Sequence, residues 1–230
     1  MAAGMVVAVE GPSAAGKTTV LTALGAGTVL PEAFRRLRPS PSLEFRTSAE
    51  LLALEQTLLL EEARRFREAT DLARDGATVI ADTGFLGPLT YAAALVAAGR
   101  APPTVLANLV DAARSLGERG QWGLANAYLY LDTPPEVRAT RAAADPAGAS
   151  PDLAARHRAM GSLERAFYLE HFARLWGPRF CVVRGDRPIP EVARAVAGAV
   201  EALRAAPEAT VRLGDVLGLL IDTATPTAPR

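Results

Sequence analysis

Apolar and polar positions change their period several times along the chain. Met5-Val-Val-Ala-Val-Glu10 is a short apolar run closed by Gly11-Pro12, the pattern of a buried strand. Val20–Leu24 reads as a helix stopped by Gly25 and Gly27, and Thr28–Leu30 as a second, short strand. Residues 35–47 mix arginines with prolines and serines and read as a loop. From Ser48, the expected N-cap, to Arg74 the apolar residues keep helical spacing until Asp75-Gly76 ends them.

The alternation continues. Ala77–Ala81 is a third strand ending on Asp82, and residues 89–99 and 104–117 are helices. Ala127–Leu131 is a fourth strand, Glu136–Ala144 a helix, Asp145–Pro151 a loop and Asp152–Trp176 one long helix. Arg179–Val183 is the fifth strand, with Cys181 expected as a buried small apolar side chain, and residues 190–205 form the last core helix. Parallel strands need crossover helices, so the pattern predicts an α/β fold: a three-layer sheet with helices on both faces. The expected division is a core domain over 1–205 and an extension over 206–230. In that extension the apolar Val211–Ile221 docks and the Thr/Pro/Ala tip is disordered.

Composition narrows the chemistry more than the fold. Half of the 230 residues are hydrophobic and formal net charge is zero, which argues against nucleic-acid binding through bulk positive charge. One cysteine and two histidines exclude a disulfide framework and any multi-Cys or His-rich metal site. With no membrane-length apolar run, a soluble, reducing, cytoplasmic setting is expected.

Gly11-x-x-x-x-Gly16-Lys17-Thr18 is a complete P-loop between a strand and a helix. There successive backbone amides and the helix N-terminus converge on an anion, so Gly11, Ser13, Ala14, Ala15, Gly16, Lys17, Thr18 and Thr19 are the expected ATP-binding residues. Lys17 is the only lysine in the chain and stands where a compact charge must reach the outer phosphates. The Thr18 hydroxyl is a ligand for Mg²⁺. A guanine-reading Asn-Lys-x-Asp segment and a second signature lysine both require another lysine, so those P-loop classes are excluded.

Gly11–Thr19, Pro31-Glu32-Ala33, Val79–Asp82, Tyr130-Leu-Asp-Thr-Pro-Pro-Glu-Val137 and Arg141 together resemble the thymidylate kinase and deoxynucleoside kinase superfamily, over roughly residues 5–204. The resemblance implies a P-loop NTPase fold with a five-stranded parallel sheet, an acceptor pocket beside the third strand and an arginine-bearing lid. It marks Glu32 as the carboxylate that takes the acceptor's proton, with Asp82 beside Mg²⁺ and the acceptor, either of them able to serve as base. It also marks Gln56 as a base-reading side chain. Phe85 and Tyr91 could line a ring-binding pocket, and Arg35, Arg36 or Arg46 could clamp an anion. The loop itself carries no arginine, so developing charge must be met by Arg141, Arg156 or Arg158 in a lid spanning about 138–158.

Thymidylate kinases follow the strand-3 acid with an arginine that grips the acceptor's phosphate. Here the chain reads Asp82-Thr83-Gly84-Phe85, which favours a neutral hydroxyl. The resulting expectation is a Mg²⁺·ATP-dependent phosphotransferase acting on a hydroxyl of a nucleoside or related small molecule. Alternatives are a kinase of a non-nucleoside natural product or antibiotic, a nucleoside monophosphate kinase, and a regulatory NTP-binding switch. The expected partner is the small-molecule acceptor, with neither nucleic acid nor membrane; a homodimer is left open.

Overall fold

The computed structural model describes residues 4–25, 27–42, 44–144 and 151–225. Five strands, β1 (Met5–Glu10), β2 (Thr28–Leu30), β3 (Thr78–Asp82), β4 (Ala127–Asp132) and β5 (Phe180–Arg184), form one all-parallel sheet in the order β2-β3-β1-β4-β5. This is the P-loop NTPase fold. β1 lies at the centre, and the chain leaves it toward β2 and β3 on one side before returning to β4 on the other. Ligands of open parallel sheets bind at that reversal, beyond the carboxyl ends of the strands.

The period-2 alternation of the central strands separates two cores. Val6 and Ala8 of β1, with Val79, Ala81, Tyr128 and Tyr130, pack under α3 (Ser48–Arg74), α4 (Gly87–Ala97) and α5 (Pro103–Glu118). Met5, Val7 and Val9, with Ile80, Leu129 and Leu131, pack against α1 (Lys17–Leu24) and α9 (Ile189–Ala205). Glu10 continues the phase of Val6 and Ala8, so it belongs to the α3 side.

Several boundaries move. α3 is capped by Thr47 rather than Ser48: the Thr47 hydroxyl accepts from the Glu50 amide, and the Glu50 carboxylate accepts from the Thr47 amide. That reciprocal pair satisfies two otherwise free donors, an advantage Ser48 does not have because its third residue on is Leu51. Running into the start of the expected loop, Ala33–Arg36 forms a short helix, α2, with Glu32 at its N-cap. Between β4 and the rest of the lid lies α6 (Pro135–Ala143).

The long helix expected over 152–176 is three segments: α7 (Pro151–Arg165), a π-helical stretch (Ala166–Phe172) and α8 (Ala173–Trp176). Cys181, expected to be buried, is half-exposed because β5 is an edge strand. The apolar C-terminal segment forms α10 (Leu213–Ala224), which places Val216, Leu217 and Leu220 against the α4 and α5 layer. The expected disordered tip, residues 226–230, and residues 145–150 of the expected lid loop lie outside the described residues.

Candidate active site

The P-loop turns between β1 and α1 through three residues of positive φ, Gly11 at 140°, Ala14 at 61° and Gly16 at 98°. Gly16 also sits under Arg141: a Cβ there would come within 3.2 Å of that guanidinium. Lys17 curls back over the loop and donates to the carbonyls of Gly11 (2.5 Å) and Pro12 (3.3 Å). The Thr18 hydroxyl donates to Asp82 Oδ2 at 2.7 Å, tying the first turn of α1 to the end of β3. Asp82 is buried and its other oxygen, Oδ1, has no hydrogen-bond partner. Ser13 and Thr19 are exposed.

Arg141 projects from α6 onto the loop, donating to the carbonyls of Ala15 (2.7 Å) and Gly185 (2.9 Å). Thr133 Oγ1 donates to the same Ala15 oxygen at 3.0 Å, so the ends of β4 and β5 and the lid helix are all fastened to the P-loop. Arg158 is exposed, and the Arg156 side chain lies outside what is described.

Leu30 of β2 is in register with Ala81 of β3, so Glu32 and Asp82 emerge at the same end of the sheet. Glu32 accepts from Arg35 Nε at 2.9 Å and its side chain is 32 % exposed. Arg36 is committed elsewhere, to Glu61 (2.9 Å) and Glu68 (2.7 Å) on α3. Gln56 is exposed on α3, whereas its neighbour Glu55 faces inward. Phe85 is buried, edge-on to Phe66 with ring centroids 5.4 Å apart, and its carbonyl accepts from Trp122 Nε1. Tyr91 is half-buried against the same core. A cleft of about 320 Å³ opens beside Thr18 and Asp82, walled by Leu21, Val29 and Pro31.

Four buried charged residues around the site, Arg65, Glu62, Glu10 and Glu164, escaped the sequence reading; Glu55, Glu61 and Arg179 are buried as well. Arg65 is fully buried on α3; it pairs with Glu62 at 2.5 Å and donates to the carbonyls of Asp82 (3.1 Å) and Thr83 (3.0 Å). Thr83 has φ 63°, a left-handed conformation that a β-branched residue adopts only when its surroundings impose it. Arg65 on its carbonyl and Val9 O accepting its amide (3.1 Å) impose it here, and the sharp turn re-aims the chain directly after Asp82. Glu10 and Glu164 are the others, both buried. A signal for Arg65 did exist: Glu55, Glu62 and Arg65 fall on the apolar stripe of α3 rather than on its wet face.

Burial pushes Glu164 up to about 7, opposed by Lys17 and Arg138 and helped by Glu10. Burial also raises Glu62, against the pull of Arg65. The unfolded chain releases the Glu164 proton near the ordinary carboxylate range, while the folded chain keeps it. The contribution of Glu164 is therefore full below about pH 4.5 and is lost as pH rises through about 7. Thermal melts are expected to fall by several degrees between pH 6 and pH 8.5. Glu164→Gln should flatten that decline; an unchanged slope would show that Glu164 ionises freely in the fold.

A family profile described as AAA domain matches residues 6–165. No curated protein matches the chain by sequence. Among solved structures, the deoxyadenosine kinase from M. mycoides with the products dCMP and a flexible dCDP bound aligns at a TM-score of 0.65 and 13% identity, covering 86% of this chain and 100% of that one. The same kinase with bound dATP gives 0.64 and 13%, over 85% of this chain and 98% of that one. With bound dCTP it gives 0.56 and 14%, over 86% and 100%. At that identity the likeness is one of fold.

Proposed function

The chain belongs to the AAA domain family, and on that premise we propose that it is a Mg²⁺·ATP-dependent phosphotransferase acting on a hydroxyl of a nucleoside or related small molecule. The observation that carries this reading is the Thr18–Asp82 contact at 2.7 Å, which sets a metal-binding pair beside the P-loop lysine at the carboxyl end of the sheet. The likeness of fold to the deoxyadenosine kinase from M. mycoides supports the choice of acceptor class.

The residues present fit Mg²⁺. Asp82 Oδ1 is buried without a partner and the Thr18 hydroxyl lies beside the same carboxylate, a hard oxygen pair. When bound, Mg²⁺ supplies charge neutralisation and alignment of the phosphate chain.

The protein's own groups do the rest. The loop amides and Lys17 hold the β- and γ-phosphates. Asp82 is already engaged by Thr18, which leaves Glu32, at the same sheet end and partly open to solvent, to take the proton from the acceptor hydroxyl. The acceptor oxygen bonds to the γ-phosphorus as the bond to ADP breaks, and the lid arginines meet the charge that develops. Arg141, clamped between Ala15 and Gly185, anchors that lid to the loop. On this reading residues 1–205 are the catalytic unit and α10 is a docked extension. The switch alternative loses its support, because α10 spends its apolar face on α4 and α5.

The test is ADP release from Mg·ATP against nucleosides, nucleoside monophosphates and hydroxylated natural products. One class of acceptor is expected to stimulate release strongly, and Glu32→Gln should lower that response by orders of magnitude. Turnover unchanged in Glu32→Gln would remove Glu32 from the mechanism, and a flat response to every acceptor would refute the phosphotransferase reading.

A further inference from the structure

A buried polar cluster stands beside the P-loop that neither phosphate binding nor the Thr18–Asp82 pair accounts for. Glu10 ends β1 and points into the α3 side of the sheet; its register partner on β4 is Tyr130. Facing them are Tyr168, whose ring centroid is 5.5 Å from that of Tyr130, and Glu164, one helical turn earlier. All four are at most 3% exposed. Each has a buried oxygen that makes no hydrogen bond: Glu10 Oε1, Tyr130 Oη, Glu164 Oε2 and Tyr168 Oη. The Tyr168 hydroxyl and the Gly84 amide stand next to the Glu10 carboxyl, but Glu10 Oε1 and Tyr168 Oη form no well-aligned bond.

An unsatisfied buried polar group costs about 1–3 kcal/mol, so four in one place are an arrangement that a ligand completes. All four atoms are oxygens able to accept, and two of them are carboxyl oxygens. Of the cations that act on these carboxyls, Lys17 is the residue the phosphates require, Arg65 is held by Glu62 and the carbonyls of Asp82 and Thr83, and Arg138 Nε donates to the Thr133 carbonyl. The complement is therefore rich in donors and positively charged. A second feature agrees: Tyr168 is carried by the π-helical stretch, a widened turn that is rare and concentrates at ligand sites.

We infer that Glu10 and Glu164, flanked by Tyr130 and Tyr168, bind a protonated amino group of the acceptor, so that the substrate class is a hydroxylated amine. The inference rests on the phosphotransferase reading, and it names the acceptor that reading leaves general. Burial holds both carboxyls above their ordinary range, and an ammonium between them restores the charged form. Gly84 packs directly on Glu10, where a Cβ would lie 2.1 Å from Oε1, and so fixes the side chain's position.

The experiment measures binding and turnover on the same panel. Hydroxylated primary amines, from amino alcohols to aminoglycosides, are each paired with their N-acetylated derivative and run beside neutral nucleosides and nucleoside monophosphates. Binding is read by calorimetry with Mg²⁺ and a non-hydrolysable ATP analogue, and turnover by ADP release with Mg·ATP. At least one amine is expected to bind about 10–100-fold more tightly than its acetylated partner. Glu10→Gln and Glu164→Gln should bring that ratio close to parity. Glu164→Gln should also melt no lower than the parent at pH 8, which separates loss of the site from loss of the fold.

No amine binding at millimolar concentration overturns the inference, as does a preference for neutral or phosphorylated acceptors that the two variants leave unmoved. Amine binding that depends on both carboxyls, with no acceptor releasing ADP, would uphold the site and refute the phosphotransferase reading instead. Turnover of neutral nucleosides with Glu10→Gln and Glu164→Gln unaffected would do the reverse.

Discussion

Arg65→Ala is expected to lower the stability of the fold by about 3–5 kcal/mol, the range found when one partner of a buried ion pair is removed. The guanidinium is fully buried, and its removal strips donors from the carbonyls of Asp82 and Thr83 at once. It also leaves Glu62 buried without the cation that opposes its burial, which pushes that carboxyl further above its ordinary range. Chemical denaturation should show the midpoint shift, with an m-value close to that of the parent. The Glu62→Ala, Arg65→Ala double variant should be less destabilised than the two single costs added together, since the orphaned acid is then absent. A shift under about 1 kcal/mol would mean that the carbonyls find water and that Arg65 is not what holds the Thr83 turn.

The effect should reach the site even in molecules that remain folded. Thr83 keeps its left-handed backbone only while its carbonyl and amide are both held. Released, the turn relaxes and Asp82 loses its fixed distance to Thr18. A fall in turnover larger than the fraction unfolded would therefore accompany Arg65→Ala.

The second large effect is on chemistry alone. Lys17→Ala is expected to cut acceptor-dependent turnover by about 10²–10³-fold, the cost of removing one preorganised positive donor from a phosphoryl-transfer site. Its bonds to Gly11 and Pro12 lie within one loop, so the melting temperature should change little. Lys17→Arg should not rescue the activity. The planar guanidinium is broader than an ammonium, and the space over Gly16 is already taken by Arg141. Turnover within a factor of a few of the parent would show that the phosphates are held by loop amides alone.

The phosphate cradle was legible because everything that shapes it is local. A strand, a glycine loop and a helix start lie within about fifteen residues, and the directions of their amides follow from the backbone conformations of those residues alone. The acceptor side was only partly legible. Asp82 was found because a strand end is visible in the apolar pattern, and Glu32 because it follows a strand two residues on. Arg36, also a candidate for the acceptor, instead spans Glu61 and Glu68 of α3, a choice set by how α2 lies on that helix. For Gln56 the helix was right and the face was not: α3 turns Glu55 inward and Gln56 out.

By itself, then, the sequence determined the alternation of strands and helices, the placement of a single lysine over a phosphate loop, and the exclusion of disulfide and multi-cysteine metal chemistry. These follow from periodicity, from composition and from contacts between near neighbours. Only the tertiary structure decided that Arg65 crosses from α3 to the end of β3, that Arg141 rests on the P-loop, and that Glu10 meets Glu164 and Tyr168. Each of those contacts joins residues 17 or more positions apart. Their partners are fixed by the strand order β2-β3-β1-β4-β5 and by the π-helical turn, and neither leaves a periodic trace in the chain.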